Sequence, residues 1–469
     1  MRLWLNILQV RRTFWRKITI FPVWQAFRLQ QAVFAVVAAY FIFSGGALRA
    51  QSLRGRTENR FRSFFIKDEA VKNYLSTTGD SLFIYSNAAS RAKNEKPEIA
   101  LSWNDAELLS HFIDKLSEKK LKNILDSINF YKIPKNDSNS GLTTVPVKTV
   151  KAEDLPLAGI KVAIDPGHIG GAYAMAEAES RCMTLYCDSN GKCDTFRIIE
   201  GNLTFFTALL LKKKLELLGA RVMLTRKDTG ISSLGITFGE WKRRIRRSAY
   251  VDSIVKANLL APEEVRLLRL LRLHMADKTL FGRVFGSVDM AERAKKMNDF
   301  HPDISVIIHY NVNEQNIGWR QPTPKDFVMA FVGGCVVSKD LKSEAGRLNF
   351  LRLLISPDID SSVSLSGKVI RHLSADLGVP IAAKEDARYL SRNCLPTPAA
   401  GVYSRDLALT RLTRGALVYG EALYQDNDRE CRLLAAKDGH YQGFSFPARV
   451  ETVAEAYYKG IMDYLGGKN

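Results

Sequence analysis

From about Leu155 onward the chain alternates between short apolar runs and longer stretches with helical spacing. IKVAID (160–165), ARVMLT (220–225), ISVIIHYN (304–311), FVMAFVGG (327–334) and ALVYGEAL (416–423) are each predicted as a buried strand. Between them, Asn202 is placed to cap a helix reaching Leu218, with Leu203, Phe206, Leu210, Leu217 and Leu218 on one side and Gly219 as its stop signal. DMAERAKKMNDF (289–300) reads as a second helix. Near-continuous apolar strands separated by helices predict an α/β fold, a twisted and mostly parallel sheet with helices on both faces. Residues 51–150 break this pattern. They are polar and mixed in charge, with one helical stretch from Asn104 to Asn129 carrying Leu108, Phe112, Leu116, Leu121 and Leu125, and then a loop, KNDSNSG (135–141). They read as a small, mostly helical N-terminal region of unknown role.

The amino terminus has a third pattern. Residues 1–50 carry Arg2, Arg11, Arg12, Arg16, Lys17, Arg28 and Arg49 and no acidic residue. This basic stretch leads into AVFAVVAAYFIF (32–43) and then SGGALRAQS, with Ala47 and Ala50 in A-x-A spacing. A secretory leader cleaved after Ala50 is predicted. The apolar run is shorter than the roughly 20 residues of a spanning helix, so an uncleaved anchor requires Ser44–Leu48 as well. Either way the chain is expected to work outside the cytoplasm, most simply in the periplasm, touching a membrane only through an uncleaved terminus. The net charge of +19 is not confined to the leader and suits an anionic partner. No zinc-finger pairs or aromatic RNP run appear, which speaks against nucleic acid. Six cysteines in an exported protein favour disulfides. Cys182, Cys187 and Cys193 lack the close pair of a structural zinc site, and the pairing is not legible.

Chemistry-bearing residues collect at the ends of the apolar runs. His168 follows the first strand in IDPGHIGG, His309 ends ISVII, Glu421 lies near the end of ALVYG, and Glu200 opens a helix in RIIEGNLT. Singly, each has a plain reading: a capping histidine in a turn, a helix-dipole partner, a paired strand-end acid. In an α/β sheet, however, ligands gather just past the carboxyl ends of strands. Two imidazoles and one carboxylate gathered there are the ligand set of a catalytic Zn²⁺ site, with a fourth position left for water. Glu421 is then free to take the proton from that water.

IKVAIDPGHIGG resembles the opening strand and turn of the zinc-dependent N-acetylmuramoyl-L-alanine amidases, the amidase type 3 family of bacterial cell-wall hydrolases. Further blocks match in order. IIEGNLTFFTALLLKKKLELLGARVMLTRKD resembles an E-x-x-L helix followed by a G-x-x-V-x-x-T-R strand. ERAKKMNDFHPDISVIIHYNVN resembles an R-x-x-x-x-N helix leading to an S-x-H-x-N strand. GVYSRDLALTRLTRGALVYGEALYQDNDRE resembles the closing R-x-L-x-x-L block, the V-L-x-E strand and an N-x-x-E. The resemblance implies that His168, Glu200 and His309 bind zinc and that Glu421 is the catalytic acid/base. It places Arg293, Asn298 and Asn311 as supporting residues, and Asp165 either orients His168 or caps the turn. It implies cleavage of peptidoglycan between N-acetylmuramic acid and L-alanine of the stem peptide. A zinc carboxypeptidase acting on the stem, or a non-catalytic wall-binding scaffold on the same fold, are the alternatives.

The chain departs from the family pattern at Ile169, where glycine is usual, and at Ile307, where serine is usual. The catalytic domain is expected over 155–469, with insertions at about 230–285 and 316–400. EEVRLLRLLRLHMADK (263–278) sets Arg266, Arg269 and Arg272 among leucines as a basic amphipathic helix, either packed on the domain or serving as a lid or a wall-gripping surface. One of the two insertions is expected to control access to the site, with an activator protein relieving the block.

Overall fold

The computed structural model describes residues 52–130, 155–189, 192–256, 260, 262–271 and 274–467. The predicted leader and the KNDSNSG loop lie outside them. Contacts divide the chain into two units at Arg56, and Thr57–Asn469 carries the fold described here.

Three short strands, β1 (Leu75–Thr77), β2 (Ser81–Ile84) and β3 (Ile99–Ser102), form a small antiparallel sheet among the helices of the N-terminal region. The single helix expected from Asn104 is two, Trp103–Ser110 and Glu118–Phe130. The chain breaks at 111–117 because Ile113 is drawn fully into the core, while Leu108 stays 62% exposed. Ser117 then accepts the Lys120 N–H and restarts the helix. This region is anchored to the rest of the unit by an Arg60–Asp360 ion pair, by Asp68 on the Ser338 N–H and by Glu118 on Asn349.

The central sheet has seven strands: β4 (Lys161–Pro166), β7 (Arg221–Leu224), β8 (Ile304–Asn311), β9 (Met329–Val332), β10 (Cys394–Pro396), β11 (Val402–Arg405) and β12 (Ala416–Tyr424). Their order is β10-β11-β9-β12-β8-β4-β7. The β11–β9, β12–β8, β8–β4 and β4–β7 pairs are parallel, and the β10–β11 and β9–β12 pairs antiparallel. Segment 316–400 therefore supplies two sheet strands, β9 and β10. Between β4 and β7 run α1 (Tyr173–Glu179), a hairpin of β5 (Cys182–Ser189) with β6 (Lys192–Ile199), and α2 (Glu200–Leu217). The other long helices are α3 (Gly286–Phe300), α4 (Asp358–Leu377) and α5 (Arg449–Gly466).

Alternation along each strand splits the core into two layers. Val162, Ile164, Val306, Ile308 and Val418 pack with α2, α4 and α5. The intervening Ala163, Ile307 and Leu417 pack with Ala294 and Met297 of α3 on the other face. Ile307 is thus a core residue, and the family's serine is replaced by apolar packing. Helix α2 begins at Glu200 rather than at an Asn202 cap, because β6 runs straight into it. It ends at Leu217, and Gly219 takes a φ of +91° that closes the turn.

The expected disulfides do not form at Cys182, Cys335 or Cys394, which are thiols. Cys335 and Cys394 are almost fully buried in apolar surroundings, where a thiol packs as a small hydrophobe. Cys335 donates to the Ser404 carbonyl at 3.2 Å. The side chains of Cys187 and Cys193 lie outside the described residues.

Candidate metal centre

Three of the predicted residues converge at the carboxyl ends of neighbouring strands. His168 lies two residues past β4, His309 is on β8, and Glu200 is the first residue of α2. Donor atoms of His168, Glu200 and His309 all fall within 4.8 Å of one another. The His168 and His309 rings meet edge-to-face at 4.7 Å and 88°. Glu200 Oε1 stands 3.3 Å from His168 Nε2 and 3.1 Å from His309 Nδ1, and accepts the Tyr310 N–H at 3.2 Å. Such closeness needs Gly167 between the strands, since a Cβ there would lie 2.4 Å from the His309 ring. His168 itself holds a left-handed φ of +57°, uncommon for a residue with a side chain.

Asp165, the carboxylate expected to steady His168, does not reach the ring. It accepts from Thr225 Oγ1 and pairs with Arg293 at 3.4 Å. Glu179 at the end of α1 does the steadying instead. Its Oε1 lies 2.9 Å from His168 Nδ1, and its Oε2 accepts the Ile169 N–H at 3.0 Å. With the Nδ1 proton committed to Glu179, His168 presents an Nε2 lone pair to the centre. Arg181 Nε donates onto that lone pair at 3.1 Å and stands 3.8 Å from Glu200 Oε2. A cationic N–H thus takes the place where the donors point. Two imidazoles, one carboxylate and a cation held among them fit the demands of a Zn²⁺ site.

The carboxylates and the burial of the site set its electrostatics in the metal-free protein. Burial works against a charge on His168, but Glu200 and Glu179 hold its pKa above the ordinary value. Burial lowers the pKa of His309. Glu200, despite its burial, is pulled well below the ordinary carboxylate value, His168 being the largest charge acting on it. Glu421 behaves oppositely. Burial, aided by the Glu200 charge and opposed by Arg405, pushes it up to about 8. Glu421 is the register partner of His309 across β12 and β8, and the Tyr419 ring stacks on His309 at 4.6 Å and 4°. His168, Glu200, His309, Glu421, Arg181, Tyr389, Arg405 and Trp319 line one cavity of about 300 Å³.

Two of the three supporting residues, Arg293 and Asn298, act on the backbone. Arg293 donates to the Pro166 carbonyl at 3.1 Å and the His168 carbonyl at 2.9 Å, and pairs with Asp289 at 2.7 Å. Asn298 clamps the loop before β12 through the Leu412 carbonyl and the Arg414 N–H. Asn311 donates to the Tyr389 hydroxyl at 2.8 Å. Sequence reasoning missed Glu179, Arg181, Arg226, Tyr389 and Arg405. Buried Arg226 joins Pro166 O to Gly201 O, tying the His168 turn to the Glu200 helix. Its only signal was the T-R at the end of the quoted strand block, whereas Glu179 and Arg181 sat in what read as a long loop. Ile169, 1% exposed, packs with Ile236, Phe238 and Trp241. Segment 230–285 thereby docks on the turn that bears His168, though none of its described residues lines the cavity.

The fold and site define a class: an α/β protein with a His–Glu–His candidate metal centre and a separate buried acid at the strand ends. A family model described as N-acetylmuramoyl-L-alanine amidase matches residues 162–462, and the chain belongs to that family. Its activity is peptidoglycan hydrolysis at the bond between N-acetylmuramic acid and L-alanine. A comparison with curated proteins gives no match. Among solved structures, the chain is similar to the apo form of the amidase Ami1 from Mycobacterium abscessus (17% identity, 66% of this chain and 100% of that chain, TM-score 0.34). It is similar to the CwlD amidase from Clostridioides difficile in complex with the GerS lipoprotein (16%, 66% and 99%, 0.35). It is also similar to the catalytic domain of CwlV from Bacillus (Paenibacillus) polymyxa var. colistinus (14%, 66% and 98%, 0.32).

Proposed function

We propose that hydrolysis proceeds with a zinc ion held by His168, Glu200 and His309 and with Glu421 as the acid/base. When bound, zinc polarises the scissile carbonyl and makes the attacking water more acidic. Glu179 keeps the His168 lone pair turned inward, and Arg293 and Arg226 fix the turn that carries it. Glu421 accepts the water proton and returns it to the departing L-alanine amine. Burial raises the pKa of Glu421 and so favours its holding the proton until the amine departs. The observation that carries the reading is the meeting of the three donors and Glu421 in one cavity.

The test is His168→Ala, with zinc content measured beside stem-peptide release from purified sacculi. Loss of both is expected. Undiminished release would sink the assignment. The proposal extends to an exported, periplasmic enzyme, supported by the leader pattern of residues 1–50. It also extends to an activator protein acting on 316–400, the insertion that contributes Trp319 and Tyr389 to the cavity. Fractionation of cells expressing the full chain tests the first part. For the second, deletion of a cavity-lining side chain, Trp319→Ala, should raise activity without an activator, and unchanged activity counts against it.

A further inference from the structure

Arg405 ends β11 beside the metal centre with its guanidinium in the corner of two aromatic rings, whose centroids are 6.4 Å apart and whose planes cross at 58°. Its central carbon lies 4.8 Å from the Phe331 ring and 4.8 Å from the Tyr389 ring. Those rings are fixed in turn. Phe331 sits fully buried on β9, and the Tyr389 hydroxyl accepts from Asn311. Among the described residues no carboxylate lies within ion-pair distance of Arg405, and its guanidinium makes no hydrogen bond. The other arginine of the cavity is engaged, since Arg181 donates to His168 and faces Glu200. The cavity's remaining acid, Glu314, accepts the backbone N–H groups of Arg388 and Tyr389. Arg405 also lies within electrostatic reach of Glu421.

A planar fork of donors, confined by two rings and left without an acceptor in the cavity, is the arrangement that takes a carboxylate in two parallel hydrogen bonds. We propose that Arg405 is the anchor for a carboxylate on the residue that follows L-alanine in the stem peptide. The inference rests on the amide-hydrolase reading above. The sugar side of the substrate offers no such group, because its lactyl carboxyl is the acyl half of the scissile bond. The anion therefore comes from the peptide side. Confined against the two rings, the guanidinium loses little freedom on binding. The site thus prefers an acidic residue after the alanine to its neutral amide.

The experiment compares two soluble probes on the zinc-loaded protein. Both are N-acetylmuramoyl-L-alanyl-glutamate, one with free carboxyls and one with both as carboxamides. The wild type should favour the free acid by tenfold or more in kcat/KM, chiefly through KM. In Arg405→Met that preference should fall below about threefold, and Arg405→Lys should keep part of it, since charge without the fork gives weaker recognition. A preference that survives Arg405→Met overturns the inference. So does an equal loss of kcat on both probes with a shifted pH profile, which would mean that Arg405 acts only through Glu421. Calorimetric binding of the product dipeptide alanyl-glutamate against its diamide separates this from the function itself. If neither the wild type nor Trp319→Ala cleaves either probe, the hydrolase reading fails, while tighter binding of the free dipeptide, weakened in Arg405→Lys, still supports the subsite. Equal binding of dipeptide and diamide to the wild type rejects it, even if Arg405→Met does not fold.

Discussion

Glu179 holds His168 from behind, with one carboxylate oxygen 2.9 Å from Nδ1 and the other accepting the N–H of Ile169. Two contacts from one carboxylate fix both the ring and the left-handed backbone on which it stands. Removing such a partner costs a metal site about 10–100-fold in affinity. Glu179→Gln keeps the size of the side chain but loses the charge. Its zinc affinity, measured by competition with a chromogenic chelator, should fall within that range. An affinity equal to that of the wild type would reduce Glu179 to a loop fastening.

Glu421 lies opposite His309 on the adjacent strand and contributes no donor to the metal cluster. Glu421→Gln should therefore bind zinc normally while kcat falls by about 10²–10⁴-fold, the usual worth of a positioned acid/base. Metal analysis and stem-peptide release on the same sample decide it. Loss of zinc from this variant would recast Glu421 as a ligand.

Ile169 joins the metal-site turn to the apolar core of segment 230–285. Ile169→Ala opens a cavity in that core and should lower stability by about 2–5 kcal/mol. Urea unfolding of the zinc-free protein measures it. A loss below about 0.5 kcal/mol, the level of a surface change, would show that the segment does not need this anchor.

Burial raises the pKa of Asp326 to about 7, even though it accepts the Tyr424 N–H at 2.8 Å. The folded state then holds a proton that the unfolded chain has released, so stability falls as pH rises from about 4 to about 7. Asp406, also raised to about 7 by burial, contributes in the same direction. Asp326→Asn keeps the acceptor and removes the titration. The melting temperature of the zinc-free variant should decline less over that window than the wild type's. Parallel curves for the two proteins would contradict the assignment.

Much of the frame was legible because the two core layers require it. Apolar runs such as 304–311 emerged with the predicted limits, since strands buried on both faces must be apolar throughout. His168, Glu200, His309 and Glu421 could be singled out because each stands where an apolar run or helix begins or ends. Glu179 and Arg181 had no such marker. Glu179 ends a seven-residue helix and Arg181 precedes a hairpin, and neither element shows a strong period. Arg405 closes a short strand whose sequence gives no hint of the two rings around it.

The sequence by itself determined the layered α/β plan, the strand ends that carry chemistry and the residue types offered there. Those follow from local periodicity and from the free-energy cost of exposing apolar strands. Only the tertiary structure decided which carboxylate serves His168, why isoleucine stands at 169 and which arginine is left without an acid. Each of these depends on approaches of a few ångströms between segments distant or irregular in the chain, and hydrogen bonds and ion pairs lose their meaning beyond that range.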